Sequence, residues 1–176
     1  PGRTLDDMRH RGIDTHGVVR APGKTFRWAG RYSTDLTHRD TLDTQLNVFA
    51  DFHPRLPEQW RQTPLLLLGN IHPRLQIDVL DQLHAPKFVI ADTMNFWIKG
   101  EPGTLSAMLR RIDLLIINDE EARLLSGIHN IRRAAKDILA RGPKRLVIKR
   151  GEHGALLFDV ARTPRGAAPA DAAVAA

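Results

Sequence analysis

The sequence predicts an α/β fold: a mostly parallel sheet with helices on both faces and, beside it, a small antiparallel sheet. From residue 65 onwards, short and almost wholly apolar segments alternate with segments of helical pattern, which is typical of a buried parallel sheet. Residues 24–49 differ, because their aromatic and Thr-rich strand signals, interrupted by a polar stretch, indicate a hairpin. The length of 176 residues and the 42% hydrophobic content suit one domain with a real core.

The first predicted elements are a short helix near Leu5–Arg11 and the hairpin of residues 24–49. A Pro-punctuated connector over residues 50–64 separates them from the parallel sheet. The segment PLLLLGNI then predicts a short buried strand that ends at Gly69. A helix follows in PRLQIDVLDQLH, where apolar residues recur at helical spacing and a proline stands near the start. KFVIADT is the next strand, and residues 102–111 form the next helix.

The remaining elements continue the same alternation. DLLIIND is a strand, EEARLLSG a helix closed by Gly127, and NIRRAAKDILARG a helix closed by Gly142, since glycine commonly follows a helix C-terminus. KRLVIKRG and GALLF are the last two strands. The predicted organisation is one domain over residues 1–160, with its α/β core over residues 65–158. An Ala/Pro-rich tail, residues 161–176, follows, and we expect it to be disordered.

Composition and spacing argue against several classes of protein. The chain has no Cys, which excludes disulfides and thiolate metal sites and fits a cytoplasmic location. No apolar run approaches the ~20 residues that span a bilayer, and the first residues lack the apolar core of a signal peptide. The net charge of +6 comes from scattered cations, and the eight His residues show no zinc-binding spacing. We therefore expect no membrane partner and no nucleic-acid partner.

Ligands of a parallel sheet bind beyond the carboxyl ends of the strands, so the residues after each predicted strand are the first candidates for a site. Four such stretches carry polar side chains or glycine: Gly69–Asn70, Asp92–Asn95, Asn118–Glu121 and Lys149–Gly154. The second stretch also has a local explanation, because Asp and Asn side chains commonly hydrogen-bond the backbone of a turn.

Two interpretations of Asn118 and Glu121 remain open. Asn is a favoured N-cap, and a Glu three residues later resembles a capping box. A carboxylate at the carboxyl edge of a parallel sheet can also hold Mg²⁺, with phosphate oxygens as the other ligands. The Asn amide can donate to a phosphate oxygen. The two roles are compatible, since a capping Glu can still face a metal.

The glycine loop that starts at Lys149 also allows two interpretations. Gly151 and Gly154 let the backbone approach an anion, and Lys149 and Arg150 add charge that suits phosphate. The alternative is a Gly-containing hairpin turn whose cations are simply solvated. The loop is not a Walker A motif, since GxxxxGK[ST] does not occur in the sequence.

The hairpin segment GKTFRWAGRYS interleaves basic and aromatic residues, which can indicate binding of single-stranded nucleic acid. The alternation of Phe26, Trp28, Gly30 and Tyr32 equally describes a strand with its aromatic residues on one face. An exposed aromatic sheet of this kind could also pair with a second copy of the chain.

Taken in order, these segments resemble the ribokinase-like (PfkB) carbohydrate and nucleoside kinases. DLLIINDEEARLLSG resembles the family's strand and N-x-x-E motif, and KRLVIKRGEHGALLF resembles its strand, G-x-x-G nucleotide loop and next strand. VIADTMNFW is similar to the segment that carries an Asn near the phosphates, and GKTFRWAGRYSTDLTHRDTL stands where the family has its β-lid. The resemblance covers about residues 12–160. It implies ATP-dependent phosphorylation of a sugar or nucleoside hydroxyl.

The resemblance also implies a role for each candidate residue. Glu121 would hold Mg²⁺, and Asn70 would reach the phosphate acceptor. Lys149 departs from the family pattern, because relatives often have Thr at this position of the loop. The implied contacts to ATP are Asn95, Asn118, Lys149, Gly151 and Gly154.

Two parts of the family pattern are absent from the sequence, so we expect a fragment truncated at both ends. The family's N-terminal strands, with a Gly-rich acceptor motif, would precede Pro1. Its D-T-x-G-A-G-D motif, which supplies the general base, does not occur, and no Asp of this chain is assigned that role. We therefore expect little or no turnover, or a non-catalytic nucleotide-binding module. The expected partners are a small-molecule acceptor and, through the β-lid, a second copy in a homodimer.

Overall fold

The computed structural model describes residues 2–34 and 39–160, and the tail of residues 161–176, for which disorder is predicted, lies outside them. The α-helices in these ranges are α1 (Gly2–His10), α2 (Pro73–Leu80), α3 (Asn95–Gly100), α4 (Pro102–Leu109), α5 (Asp119–Ser126) and α6 (Ile131–Ala140). The strands are β1 (Arg27–Tyr32), β2 (Arg39–Gln45), β3 (Leu65–Leu68), β4 (Phe88–Asp92), β5 (Leu114–Asn118), β6 (Arg145–Lys149) and β7 (Ala155–Asp159). None of the helices in the described ranges is long and apolar enough to cross a membrane.

The chain divides into two compact units, Pro1–Thr63 with Asp78–His84 and Pro64–Ile77 with Ala85–Ala176. The first unit holds the predicted hairpin and the connector that follows it. The second holds the predicted parallel sheet. The change of pattern near residue 65 therefore coincides with a change of structural unit.

The hairpin of the first unit confirms the strands predicted from the aromatic and Thr-rich pattern. β1 and β2 are antiparallel, with a shift of register between Ala29 and Gly30. The ring of Trp28 covers Gly30, so both residues lie on one face, as the alternation predicts. The Trp28 indole N–H donates to the Thr41 hydroxyl at 3.3 Å. Residues 35–38, which lie between the two strands in sequence, are outside the described part of the chain.

A glutamine holds the Pro-rich connector of the first unit. Gln82 Nε2 donates to the carbonyl oxygens of Pro54 and Asp78, both at 2.8 Å. Gln82 Oε1 accepts the Leu56 N–H at 2.9 Å. Two of these three backbone groups belong to the connector, which forms no strand in which they could be paired.

The five strands of the second unit lie in the order β3-β4-β5-β6-β7. The first four are parallel, and β7 runs antiparallel to β6. The predicted fold class is confirmed: an α/β unit with a mostly parallel sheet, and a separate small antiparallel sheet. The apolar character of the parallel strands is what a covered sheet requires.

Burial differs between the two faces of this sheet. On one face Val89 is 3% exposed and Leu115 is fully buried, whereas on the other Leu65 and Leu67 are 67% and 68% exposed, and Leu157 is 63% exposed. The strand order explains the difference, because successive right-handed crossovers in one direction place their helices on one face. The sequence predicted helices over both faces of the sheet. Within the described residues, one face is well covered and the other is only partly covered.

α3 is a helix that the sequence pattern did not predict. Its residues, NFWIKG, include two aromatic residues, a β-branched residue and a glycine, all of modest or low helix propensity. Packing stabilises it instead: Ile98 is buried at 7% exposure, and the Trp97 ring lies 4.8 Å from the His72 ring. Tertiary contacts therefore override local propensity at this position.

The predicted closing glycines of α5 and α6 are confirmed. Gly127 has φ of 73° and Gly142 has φ of 146°, a region that other residues rarely adopt. At Gly142 a Cβ atom would also collide with the backbone of Leu109 and Arg110 at the end of α4. The absence of a side chain therefore lets the end of α6 pass close to the end of α4.

Candidate functional site

The strand ends place the four predicted polar side chains along one edge of the sheet. Asn70 follows β3, Asn95 begins α3 shortly after β4, Asn118 ends β5 and Lys149 ends β6. Because β3 to β6 are parallel neighbours, these residues occur in that order at the carboxyl edge. Neighbouring strands are ~4.8 Å apart, so the edge from β3 to β6 spans about 14 Å.

Asn118 and Glu121 form a capping box at the start of α5. The Asn118 side chain accepts the Glu121 N–H at 2.7 Å, and Glu121 Oε2 accepts the Asn118 N–H at 2.8 Å. The capping interpretation is therefore confirmed. The same geometry holds the carboxylate of Glu121, a residue that is only 7% exposed, at the positive end of a helix and beside the carboxyl end of β5. The capping hydrogen bond thus holds the Glu121 carboxylate in a position where it could bind a metal ion.

The glycine loop lies directly beside the capping box. Asn118 and Lys149 are opposite each other in the β5–β6 register, so two motifs that are distant in sequence meet at neighbouring strand ends. Gly151 and Gly154 have φ of 57° and 80°, and the Arg150 N–H donates to the Gly154 carbonyl at 2.7 Å. The interpretation as a glycine turn between two strands is confirmed. Lys149 and Arg150 are exposed and leave two cations at this end of the sheet.

Asn95 lies beside α5. It lines a cavity of about 370 Å³ whose other walls come from α3, from α5 and from the residues that follow α5. The other lining residues are Lys99, Glu120, Arg123, Leu124, Gly127, Ile128 and His129. The helix that carries the capping box therefore also forms one wall of this cavity.

A buried glutamine that the sequence analysis did not single out lies at the same edge. Gln76, on α2, is 1% exposed, and its Nε2 donates to the carbonyl oxygens of Gly69 at 2.9 Å and Asp92 at 3.0 Å. The amide thereby ties the ends of β3 and β4 together. A signal was available in the sequence: Gln76 precedes the apolar residues Val79 by three positions and Leu80 by four. A polar side chain at that spacing lies on the apolar stripe of its helix.

The hydroxyl of Thr93, just beyond β4, is buried and has no hydrogen-bond partner among the described residues. A buried polar group without a partner costs about 1–3 kcal/mol. We therefore expect Thr93→Val to raise the free energy of unfolding by about 1 kcal/mol, measured by urea denaturation at pH 7. Thr4→Val, at an exposed position of α1, should change it by less than about 0.5 kcal/mol. A clear loss of stability in Thr93→Val would show that the hydroxyl has a partner.

The described residues contain no cluster of three or more His, Asp or Glu side chains that could hold a metal ion. Mg²⁺, however, is usually bound by one or two carboxylates together with substrate phosphates and water. The buried Glu121 carboxylate at the strand edge, beside the cations of the glycine loop, fits that donor set. The residues of β5, α5 and β6 therefore suit a nucleotide that brings its own Mg²⁺.

Comparison with known proteins relates the chain to one family. The family model described as pfkB family carbohydrate kinase matches residues 3–174. The cytidine kinase of Thermococcus kodakarensis is 25% identical over 150 residues, which are 84% of this chain and 53% of that protein. The chain thus spans about half the length of the curated relative that it matches.

Solved structures share the fold. A PfkB protein of Polaromonas sp. matches with a TM-score of 0.70 and 20% identity, over 91% of this chain and 60% of that one. The adenosine kinase of Sinorhizobium meliloti matches with a TM-score of 0.71 and 17% identity, over 88% of this chain and 50% of that one. The ribokinase of Thermotoga maritima matches with a TM-score of 0.64 and 20% identity, over 90% and 52%.

Proposed function

Because this chain belongs to the pfkB family of carbohydrate kinases, we propose that it carries the nucleotide side of an ATP-dependent phosphotransferase acting on a sugar or nucleoside hydroxyl. One observation supports the proposal above the others. The β5–β6 register sets Asn118 opposite Lys149, so the N-x-x-E box and the G-x-x-G loop meet at one sheet edge. Each motif alone is weak evidence, but their meeting at the carboxyl end of parallel strands is what a nucleotide site requires.

In the proposed reaction the protein positions groups and neutralises charge, which is most of what phosphoryl transfer needs. Glu121 would hold Mg²⁺, which when bound offsets the charge on the phosphates. Asn118 would donate to a phosphate oxygen, and Lys149 would add positive charge beside it. Gly151 and Gly154 would line the nucleotide, where the lack of side chains lets the backbone approach.

The acceptor would lie towards β3 and β4. Asn95 would contact the transferred phosphoryl group, and Asn70 would reach the acceptor hydroxyl. The order of residues along the edge supports this division, since a nucleotide beyond β5 and β6 would face an acceptor beyond β3 and β4. The curated relative is a cytidine kinase, which favours a nucleoside, while the family description keeps a sugar as the alternative.

The D-T-x-G-A-G-D motif that supplies the general base of the family does not occur in the 176 residues. We infer that the chain by itself binds Mg-ATP but transfers phosphate slowly, because no carboxylate is assigned to take the proton of the acceptor hydroxyl. A cytoplasmic location and a homodimer formed through the β-lid stay predictions.

Titration of the chain with ATP, with and without Mg²⁺, tests the nucleotide site, and an assay over a panel of sugars and nucleosides tests turnover. We expect Mg²⁺ to lower the Kd for ATP at least about tenfold, and turnover to be slow but measurable with at least one acceptor. Failure to bind ATP would overturn the proposed site. Robust turnover would contradict the missing base, whereas tight binding without transfer to any acceptor would favour a non-catalytic nucleotide-binding module.

A further inference from the structure

The parallel ladder between β3 and β4 ends at the pair Leu68 and Ala91. The carbonyl oxygens of the next residues, Gly69 and Asp92, accept the hydrogen bonds from Gln76 Nε2 at 2.9 and 3.0 Å. One side-chain amide therefore links the two strands just beyond the last residue pair of the ladder. Both N–H groups of that amide are needed for the two carbonyls, so the bridge sets the separation of the strand ends.

The orientation of this amide follows from the same contacts. Two carbonyl oxygens require donors, and turning the amide over would place Gln76 Oε1 against both of them. In the observed orientation Oε1 is buried and has no hydrogen-bond partner within the described residues. That arrangement costs about 1–3 kcal/mol, which the two hydrogen bonds to the part-buried strand ends must offset. Holding the strand ends together is therefore the reason for a polar side chain at this buried position.

Each bridged carbonyl stands close in sequence to a candidate ligand-binding residue. Gly69 directly precedes Asn70. Asp92 precedes Asn95, the first residue of α3, by three positions. Between them, the Thr93 N–H donates to Asp92 Oδ1 at 2.8 Å. A change in the separation of the two strand ends would therefore move both asparagines. Phosphoryl transfer is sensitive to such movements, because misplacement by about 1 Å can cost about a hundredfold in rate.

We propose that Gln76 is a positioning residue of the kinase site, whose amide fixes the distance between the acceptor contact at Asn70 and the phosphoryl contact at Asn95. This inference rests on the proposed function. It implies that loss of the bridge affects the terminal phosphate of ATP and leaves the rest of the nucleotide in place. The reason is that the capping box and the glycine loop lie at the ends of β5 and β6, which the bridge does not touch.

Calorimetric titration with Mg-ATP and with Mg-ADP measures the affinity that the terminal phosphate adds. Gln76→Glu keeps the size of the side chain, but an ionised carboxylate has no N–H to donate. We expect the wild-type chain to bind ATP more tightly than ADP. We expect Gln76→Glu to reduce that ratio about tenfold while the Kd for ADP stays within about twofold. Gln76→Met, which is uncharged and of similar length, is the second variant in case the buried carboxylate prevents folding.

Gln82→Glu is the matched control, because Gln82 also bridges two carbonyl oxygens but belongs to the first unit. It should lower the thermal midpoint as the Gln76 variants do, and it should leave the ATP-to-ADP ratio unchanged. An unchanged ratio in the folded Gln76 variants, or an equal loss of ATP and ADP affinity, would overturn the positioning role. Equal binding of the two nucleotides by the wild type, or loss of folding in both Gln76 variants, would also overturn it. A wild-type chain that binds neither nucleotide would instead refute the proposed function itself, so the two failures are distinguishable.

Discussion

Glu121→Gln is expected to remove the Mg²⁺ dependence of ATP binding while leaving the chain folded. Glutamine serves as well as glutamate in a capping box, so the hydrogen bond to the Asn118 N–H should survive. The amide carries no charge, and Mg²⁺ is usually bound through carboxylates. In the presence of Mg²⁺ we expect the Kd for ATP to rise at least about tenfold, to its value without the metal. The thermal midpoint should move by no more than about 2–4 °C.

Glu120→Gln is the matched control for this change. It removes the same charge one residue away, from an exposed side chain, and the Mg²⁺ dependence should remain. Asn118→Ala removes the cap, which costs about 1 kcal/mol of stability, together with the proposed phosphate contact of Asn118, but it keeps the Glu121 carboxylate. ATP binding should therefore weaken in this variant and still depend on Mg²⁺. Full Mg²⁺ dependence in Glu121→Gln would show that this residue caps its helix and does not bind the metal.

Asp113→Ala is expected to lower the free energy of unfolding by about 2–3 kcal/mol, because the Asp113 side chain links β4 to Lys144, the residue before β6. Its Oδ2 accepts the Val89 N–H of β4 at 2.9 Å, and its Oδ1 accepts the Lys144 ammonium at 2.6 Å. Its own carbonyl oxygen accepts the N–H groups of Lys144 and Arg145, at the start of β6. Alanine would leave the Val89 N–H, in the buried middle strands, without its acceptor. Urea denaturation at pH 7 measures the loss.

Lys144→Met separates the ion pair from the backbone contact. The Lys144 side chain is 73% exposed, whereas that of Asp113 is 15% exposed. An ion pair with one exposed partner contributes less than about 1 kcal/mol, so we expect a much smaller loss than in Asp113→Ala. Equal losses in the two variants would show that the ion pair, and not the hydrogen bond from Val89, carries the stabilisation.

The same carboxylate should make stability depend on pH in the acid range. Burial raises the pKa of Asp113, but the hydrogen bonds from Lys144 and Val89 and the positive charges of Lys144 and Arg145 outweigh it, so the pKa lies below its usual 3.8. A pKa that is lower in the folded state stabilises above the unfolded pKa, and this stabilisation is lost as pH falls through the folded pKa. The stability difference between wild type and Asp113→Asn should be constant from pH 7 to about 5 and shrink below about 4. A difference that persists unchanged at pH 3 would contradict the lowered pKa.

Local features of the fold could be predicted from the sequence because their causes lie within a few residues. The apolar runs that form β3 to β6 are typical of strands in a sheet covered by helices. The glycines after α5 and α6 allow the positive φ with which these helices end. Asn118 and Glu121 form the capping box that their spacing predicts. The sequence pattern did not predict α3, because its packing is not local: the Trp97 ring contacts His72, which lies 25 residues earlier in the chain.

The sequence by itself determined the type of most elements, the caps of α5, the glycine turn after β6 and, through two short motifs, the resemblance to a kinase family. Only the tertiary structure decided which of these features are neighbours. It placed Asn118 opposite Lys149, set Gln76 between the carbonyls of Gly69 and Asp92, and left one face of the sheet partly open. The physical reason is that capping and turn formation depend on adjacent residues, whereas strand order and register depend on packing between segments far apart in the chain.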